Sequence, residues 1–188
     1  MDNILIVSNT SSTMGIISDF MRLEHYGQVF TSQNGSQARR YITDFDFDLI
    51  IIDAPLPDEQ GDDLAITAAD KTTAGIILIV DSAIEMETNS RVEDYGVFSL
   101  PKPTTPEFFY KAAKLITASR LRMQKLENEN QRLQKKIEEI RIVDRAKLVL
   151  IQVLKMTESQ AQHYIEKQSM DLRQTRITTA ENILRTYD

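Results

Sequence analysis

The residues best suited to chemistry in this 188-residue chain are an aspartate and a lysine, each at the end of an apolar run. Asp53 follows Leu-Ile-Ile-Ile, and Lys102 follows Val-Phe-Ser-Leu-Pro. Pro55 and Pro57 stiffen the loop after Asp53, and Gly61 lets that loop turn. The Lys102 ammonium could reach an oxyanion on Asp53. On chemistry alone, an ordinary ion pair at the ends of two strands is the slightly favoured interpretation.

Other chemistries find little support in the composition. The chain has no cysteine, which removes disulfides, thiolate metal sites and cysteine nucleophiles and fits a reducing cytoplasm. Its two histidines are too few and too far apart for a metal site or a Ser-His-Asp triad, so we expect no enzyme. No stretch approaches the roughly eighteen apolar residues of a membrane span. The first residues lack a basic region before a long apolar run, so we expect a cytoplasmic protein without a membrane partner.

Charge and turn residues divide the chain into two parts. Every glycine and proline precedes residue 107. Residues 1–117 carry 8 basic and 18 acidic side chains, a net charge of −10, whereas residues 118–188 carry 14 and 10, a net charge of +4. This asymmetry suggests a regulatory module joined to a module that binds nucleic acid or a partner, although +4 alone is weak evidence.

The front part alternates short apolar runs with helix-length segments. The predicted strands are 3–8, 28–32, 48–53, 75–80 and 97–100, and the predicted helices are 12–25, 35–44, 58–70, 82–94 and a last one from 105. This alternation predicts the α/β class with a doubly wound parallel sheet. Ligands of such sheets lie beyond the carboxyl ends of the strands, where Ser8, Asn9, Asp53 and Lys102 are expected.

In these features, residues 1–117 resemble the receiver domain of bacterial response regulators. The resemblance rests on five βα units, Asp53 at the end of the third strand, Pro57, Gly61, and Lys102-Pro103 after the fifth strand. It implies that Asp53 is the phosphoacceptor and Lys102 the phosphate-sensing cation of a two-component phosphorelay. The family's acidic pair after the first strand, which holds Mg²⁺, is replaced by Ser8 and Asn9. Mg²⁺ needs oxygen ligands with enough negative charge, so we expect no cofactor.

Two further parts of the family pattern are missing. The hydroxyl position that closes the fourth strand is Val80, with Ser82 nearby, and the aromatic switch position is Ser99, with Phe98 beside it. Phosphotransfer to a carboxylate depends on positioning and metal electrostatics. We therefore expect a receiver-like domain, or pseudo-receiver, that has lost or nearly lost phosphorylation. It would signal through protein contacts or a ligand instead.

Residues 118–143 have the pattern of a coiled-coil dimerisation linker. The apolar stripe spans about two and a half heptads, and one asparagine interrupts it at position a. We call the following set the dimer seam: Met123, Leu126, Asn130, Leu133, Ile137 and Ile140. A single asparagine at position a favours a parallel dimer of fixed register. The alternative is one amphipathic helix packed on its own domain, but the narrow stripe and polar outer positions favour the coiled coil.

Residues 144–188, which we call the head, have the pattern of three short helices. The first continues to about 156, the second covers about 158–171 and the third about 177–186. Thr157 and Gln160 have the spacing of a capping box at the start of the second helix. So few apolar residues make a marginal core, and anchoring to the coiled coil should stabilise it.

The head resembles the ANTAR domain, the RNA-binding module of bacterial transcription antiterminators. The residues that carry the resemblance are Arg145-Ala146-Lys147, Leu150, Leu154, Thr157-Glu158, Ala161, Gln168-Ser169-Met170, Arg173, Thr179-Ala180 and Ile183. The family often has glycine in the turn before the second helix, where this chain has Lys155-Met156. The order of receiver, coiled coil and ANTAR domain is that of known antiterminators, some of which have degenerate receivers.

The resemblance implies that a dimer binds paired stem-loops in nascent leader RNA and prevents a terminator from forming. Loop bases are the readable part of RNA, and Lys and Arg supply phosphate contacts. The candidate RNA contacts are Lys147, Tyr164, Gln168, Ser169, Arg173 and Arg176. Each has a structural alternative: Tyr164 as core, Lys147 as a snorkelling side chain, Gln168 and Ser169 as capping or solvated residues. Arg173 and Arg176, near the last turn, are the favoured contacts.

Two other functions remain open from the sequence. One is a phosphorylation-controlled, DNA-binding response regulator, which the head's net charge of +1 and its weakly basic third helix disfavour. The other is a protein–protein signalling adaptor. A sensor kinase or an inhibitory regulator protein is a possible partner in each case.

Overall fold

Five short strands of β-branched and apolar residues build the first part of the chain. The computed structural model describes residues 3–11, 13–15, 17, 18 and 27–187. The chain forms two compact units, Met1–Met123 and Gln124–Asp188. In chain order the elements are β1 Ile4–Ser8, β2 Val29–Ser32, α1 Gly35–Asp44, β3 Leu49–Asp53, α2 Asp62–Lys71, β4 Gly75–Asp81, α3 Glu85–Val92, a 3₁₀ turn Glu93–Tyr95, β5 Val97–Lys102, α4 Pro106–Leu154, α5 Glu158–Asp171 and α6 Arg176–Tyr187.

The five strands form one parallel sheet in the order β2-β1-β3-β4-β5, which confirms the predicted doubly wound α/β fold. β3 is buried along its whole length and β4 as far as Val80, as their continuous apolar runs predict for central parallel strands, and β1 is buried throughout as well. The register pairs Ser8 with Asp53 and Asp81 with Lys102, so these side chains end their strands at one edge.

Alternate residues of the strands pack into two separate cores on the two faces of the sheet. One core joins Leu5, Val7, Ile50 and Ile52 to apolar residues of α1 and α2. The other joins the intervening strand residues to Ile17 and to Phe109, Ala112 and Ala113 of α4. Burial on both faces is what fixes a parallel sheet between helical layers.

Helix boundaries follow local chemistry. The Asn34 side chain accepts a hydrogen bond from Gln37 N at 2.8 Å and caps α1. The helix predicted over 58–70 begins only at Asp62, because Gly61 adopts a φ of 98° and ends the preceding loop. Residues 13–15, 17 and 18 of the first predicted helix, 12–25, are helical, and so is residue 11 before it. The rest of that prediction, at 12, 16 and 19–25, lies outside the described residues.

Helix α4 is continuous from Pro106 to Leu154, and its first part belongs to the sheet unit. Ile116 packs closely against Gly75, where an added Cβ would lie 2.3 Å from Ile116 Cγ2. Arg120 donates hydrogen bonds to the carboxylate of Asp48 and to Thr73 O, the latter at 2.8 Å. Among the described residues, no helix is both long enough and apolar enough to cross a membrane.

The second unit contains the rest of α4 together with α5 and α6. Its core consists of six buried side chains: Ala146, Leu150, Ala161, Ile165, Ala180 and Ile183. Thr157 and Gln160 form the predicted capping box at the start of α5, with hydrogen bonds of 3.3 and 2.8 Å. The many alanines allow the three helices to approach closely, so each larger side chain carries much of the packing.

Candidate functional site

Asp53 is held on both of its carboxylate oxygens. Its side chain is 4% exposed, and Oδ1 lies 2.5 Å from Lys102 Nζ. Lys102 Nζ also donates a hydrogen bond to Ala54 O. The structure therefore brings the two predicted residues together as an ion pair at the carboxyl edge of the sheet, with the aspartate buried and the lysine partly exposed.

The hydroxyl of Ser8 occupies the side of Asp53 where the acidic pair would be expected. Ser8 Oγ donates to Asp53 Oδ2 at 2.7 Å, and Ser8 is completely buried. Thr10 N in turn donates to Ser8 Oγ at 3.2 Å, whereas Asn9 is exposed. Both oxygens of Asp53 thus have partners among protein groups, the Ser8 hydroxyl and the Lys102 ammonium, without a metal ion.

The acidic residues in the loop after β3 are engaged elsewhere. Asp58 accepts hydrogen bonds from Gly35 N, Ser36 N and Ser36 Oγ, each at 2.9 Å. The bond from Gly35 N is the largest of the effects that lower the pKa of Asp58 to about 2. Glu59 pairs with Arg39, whose Nη2 donates to Oε2 at 2.7 Å. These contacts attach the loop to the start of α1 rather than to Asp53.

Such a donor set does not fit Mg²⁺, the metal that the family resemblance implies. Its one buried carboxylate already pairs with Lys102 and Ser8, and hard divalent cations need several charged oxygen ligands. Within the described ranges, no cluster of three or more His, Cys, Asp or Glu side chains could hold a metal ion.

The two family switch positions are also altered in space. Val80 is buried and apolar, and the Asp81 carboxylate after it accepts a hydrogen bond from Ala83 N at 2.8 Å. Ser99 Oγ lies 2.6 Å from Glu85 Oε1 and 2.8 Å from Asn89 Oδ1. Ser99 is therefore fastened to α3, in place of an aromatic ring that could rotate.

The dimer seam lies on one helix and faces solvent in the single chain. Its five apolar side chains, Met123, Leu126, Leu133, Ile137 and Ile140, are each more than half exposed, and Asn130 is exposed as well. A contiguous exposed apolar stripe of this kind marks a surface that another molecule covers.

In the head, two of the predicted RNA contacts are cations with acidic neighbours. Lys147 Nζ lies 2.7 Å from Asp144 Oδ1 and 3.9 Å from Glu158 Oε1. The hydrogen bond to Asp144 is the main cause of the raised pKa of Lys147. Arg176 begins α6, is exposed, and lies 3.8 Å from Glu166 Oε1. Lys147 is partly buried, whereas Arg176 is exposed.

The remaining α5 candidates differ in exposure. Tyr164 is partly buried against the head core, and Gln168 is partly exposed. Ser169 is only 7% exposed, and its Oγ lies 2.7 Å from Ile165 O and 3.0 Å from Thr179 Oγ1. The expectation that Ser169 contacts RNA is corrected, because its hydroxyl joins α5 to α6 inside the head.

Two turns of the head place non-glycine residues in the left-handed region. Lys155, after α4, has a φ of 56°, and Arg173, after α5, has a φ of 51°. Lys155-Met156 fill the turn where the family resemblance implies a glycine, and the left-handed conformation of Lys155 is one that glycine adopts without strain. The Arg173 side chain is exposed, and in the described part of the chain no ion pair to it is found.

Sequence reasoning missed three features of these sites: the Ser8–Asp53 bond, the Asp58 contacts and the tie from Arg120. Only the first had a usable signal, since parallel strands that end together bring their last side chains together. The burial of Ser169 also had a usable signal in the sequence. Ser169 lies four residues after Ile165 and eight after Ala161, so it shares the buried face of their helix.

A parallel βα sheet with a strand-end aspartate and lysine, followed by a long helix and a helical head, defines a two-domain signalling protein. The family model of the response regulator receiver domain matches residues 4–114, and that of the ANTAR domain matches residues 131–184. The chain belongs to the response regulators and carries an ANTAR domain after its receiver domain. Both matched models describe regulatory domains. The presence of an ANTAR domain is consistent with a regulator that binds RNA and acts by antitermination.

Similar proteins share this regulatory description. The chain is 28% identical over 184 residues to the transcriptional regulatory protein PdtaR of Mycobacterium tuberculosis, covering 97% of this chain and 89% of that protein. It is 30% identical over 139 residues to the transcriptional regulatory protein DpiA of Escherichia coli, covering 73% and 60%. A CheY-like receiver domain protein of Methanospirillum hungatei matches with a TM-score of 0.60 at 20% identity, covering 65% of this chain and 98% of that one, and shows the fold alone.

Proposed function

We propose that this protein is a transcription antitermination regulator that binds paired stem-loops in nascent leader RNA as a dimer. Its receiver domain controls that binding without phosphorylation of Asp53. The ANTAR match over 131–184 is the observation that carries the RNA-binding part. The dimer and the mode of control rest on the seam and on the bonds of Asp53.

The cations at the last turn of the head support the RNA contact. Arg173 and Arg176 are exposed and lie three residues apart. Arg173 is in the turn before α6, and Arg176 is the first residue of α6. Side chains so placed can reach the phosphates and splayed bases of a single-stranded loop. Lys147 and Tyr164 add a third cation and an aromatic ring in the same unit, while Gln168 adds an amide.

A gel-shift experiment tests this proposal. The protein should bind a leader RNA with two hairpins more tightly than the same RNA with one hairpin, and more tightly than duplex DNA. Arg173→Ala/Arg176→Ala should weaken RNA binding by at least about tenfold. The control, Lys155→Ala/Arg185→Ala, removes two positive charges elsewhere in the head. Equal affinity for duplex DNA would favour the DNA-binding alternative. Equal losses of RNA affinity in both double variants would mean that the two arginines contribute only their positive charge and no specific contact.

The exposed seam supports the homodimer. Two copies placed in parallel would cover the five apolar side chains, and Asn130 would meet its counterpart at position a. Two heads on one coiled coil could then bind two hairpins at once, and the second contact would be intramolecular. This geometry accounts for recognition of paired rather than single stem-loops.

Analytical ultracentrifugation tests the dimer. The wild-type chain should sediment as a dimer, and Leu133→Lys/Ile137→Lys should sediment as a monomer. Asn128→Lys/Gln131→Lys, which adds the same charge on the outward face of the helix, should remain dimeric. Asn130→Leu should change the number of chains in the oligomer. A wild-type chain that is monomeric at every concentration would remove this part of the proposal.

The bonds of Asp53 support control without phosphorylation. One carboxylate oxygen accepts from Ser8 and the other pairs with Lys102, and the acidic pair that would hold Mg²⁺ is missing. A phosphoryl donor would therefore meet a carboxylate with no metal to offset the charge that develops on the phosphoryl oxygens. Ser99, fixed to α3, lacks the ring that would report phosphorylation.

Incubation with acetyl phosphate and Mg²⁺, followed by intact-mass measurement, tests this part. The wild-type protein should show no stoichiometric adduct. Ser8→Asp/Asn9→Asp restores the acidic pair and should gain an adduct that a further Asp53→Ala removes. A stoichiometric adduct on the wild-type protein that Asp53→Ala abolishes would overturn control without phosphorylation.

A further inference from the structure

A cavity of about 500 Å³ lies beside Asp53 and Lys102 in the receiver domain. This volume lies within the range of small-molecule sites in proteins. Its apolar wall comes from one face of the sheet: Ile17, Ile79 and Phe109 belong to the same core, are each buried and line the cavity, with Pro103 and Pro106. A pocket with an apolar wall and a few polar groups at one end is the usual form of a ligand site.

The polar end of the cavity has hydrogen-bonding capacity to spare. Lys102 has three ammonium donors. Two of them go to Asp53 and Ala54 O, which leaves one for a ligand. Thr104, which also lines the cavity, has a buried Oγ1 without a partner among the described residues. A buried hydroxyl without a partner is unfavourable, so a ligand acceptor within its reach would be stabilising.

Charge balance decides the kind of ligand. Asp53 and Lys102 are opposite charges in contact, so the pair contributes no net positive charge. A phosphate or carboxylate placed beside them would face the Asp53 carboxylate in a poorly solvated site without a divalent cation to compensate. A neutral group, such as a carbonyl, accepts the same hydrogen bonds without this repulsion.

We propose that this cavity binds a neutral, largely apolar small molecule that carries a carbonyl or similar acceptor, held by Lys102 and Thr104. The role of this molecule as an input signal rests on the phosphorylation-independent control proposed above. Its binding to the cavity does not depend on that control. In the signalling role, the molecule would replace the phosphoryl group.

Fluorescence titration of the full-length protein with prodan, a neutral naphthyl ketone, tests the site. Binding should be saturable, with one site per chain and a blue-shifted emission. Thr13→Phe, which extends a ring into the cavity, should weaken binding by at least about tenfold. Thr43→Phe makes the same change on an exposed face of α1, away from the cavity, and should leave binding unchanged. The anionic probe anilinonaphthalene sulfonate should not compete with prodan.

Thr104→Val keeps the shape of the side chain and removes the hydroxyl. It should raise the thermal midpoint of the free protein and weaken prodan binding several-fold. Absence of saturable binding, equal binding by Thr13→Phe and wild type, or displacement of prodan by the sulfonate would each overturn the proposed site. None of these outcomes depends on phosphate adducts, so failure here is distinguishable from failure of phosphorylation-independent control.

Discussion

Replacing Arg173 by glycine should make the head more stable and, at the same time, poorer at binding RNA. Arg173 has a φ of 51°, a conformation that costs an L-residue with a Cβ about 1–2 kcal/mol and costs glycine almost nothing. Lys155, with a φ of 56°, provides a matched control in the other turn of the same unit.

The size of the stability change follows from two opposing effects. Relief of the left-handed conformation gains about 1–2 kcal/mol, and the greater freedom of glycine in the unfolded chain returns about 0.5–1 kcal/mol. A net gain of about 0.5–1 kcal/mol should raise the thermal midpoint of a unit this small by about 2–8 °C. Lys155→Gly should show a gain of the same size.

RNA affinity should separate the two variants. If Arg173 contacts a phosphate or base of the loop, Arg173→Gly should lose about 1–3 kcal/mol of binding free energy, or about 5- to 150-fold. The slope of the logarithm of affinity against the logarithm of salt concentration should fall by about one if the contact is to phosphate. Lys155→Gly should bind with nearly wild-type affinity.

Circular dichroism melting and gel-shift titration across a salt series measure both quantities. The reasoning about the turns would be refuted if neither variant gained stability. The assignment of Arg173 to the RNA contact would be refuted if Arg173→Gly bound RNA as tightly as Lys155→Gly at every salt concentration.

Three further predictions concern packing and electrostatics. Leu150→Ala empties the middle of the six-residue head core and should destabilise the head by about 2–5 kcal/mol, whereas Leu148→Ala, exposed on the same helix, should change it by about 0.5 kcal/mol or less in denaturant titrations. Arg120→Ala should lower the stability of the receiver domain by about 1–3 kcal/mol, because it removes the ion pair with Asp48 Oδ1 and the hydrogen bond to Thr73 O, and a comparable loss in the exposed neighbour Arg122→Ala would contradict this. The pKa of Asp58 is lowered from 3.8 to about 2, so its stabilising effect is complete above pH 3.8 and is lost as the pH falls through about 2. The difference in thermal midpoint between wild type and Asp58→Asn should therefore stay constant from neutral to mildly acidic pH and shrink only below that range, and an NMR titration midpoint near the ordinary value would refute it.

The fold was predictable because its signals are local. Strands β1, β3 and β4 are apolar, β-branched runs with polar or glycine ends, and such runs have few other stable positions than the centre of a sheet. The capping box at Thr157 fixed the start of α5, and its two hydrogen bonds are present. The strand ends also brought Asp53 and Lys102 together, because parallel strands place their carboxyl ends at one edge.

The contacts that give the sites their character were not predictable in this way. Arg120 and Asp48 lie 72 residues apart, and only the tertiary fold brings them together. Asp58 was expected at the start of α2, yet its carboxylate caps the start of α1, since both loops meet at the same edge. The boundaries 1–117, 118–143 and 144–188 stay predictions. The dimer seam and the RNA contacts other than Ser169 also stay predictions, because each of these depends on a second molecule.

The hydrogen bonds of Ser99 have a consequence for how the receiver domain meets other proteins. A rotating ring gives a surface two shapes, and a partner can tell them apart. A serine hydroxyl held between Glu85 and Asn89 has no second position of similar energy, because leaving would break part-buried polar contacts worth about 1–3 kcal/mol. The surface formed by α3 and β5 therefore keeps one shape, and a protein that docks there would recognise this regulator constitutively.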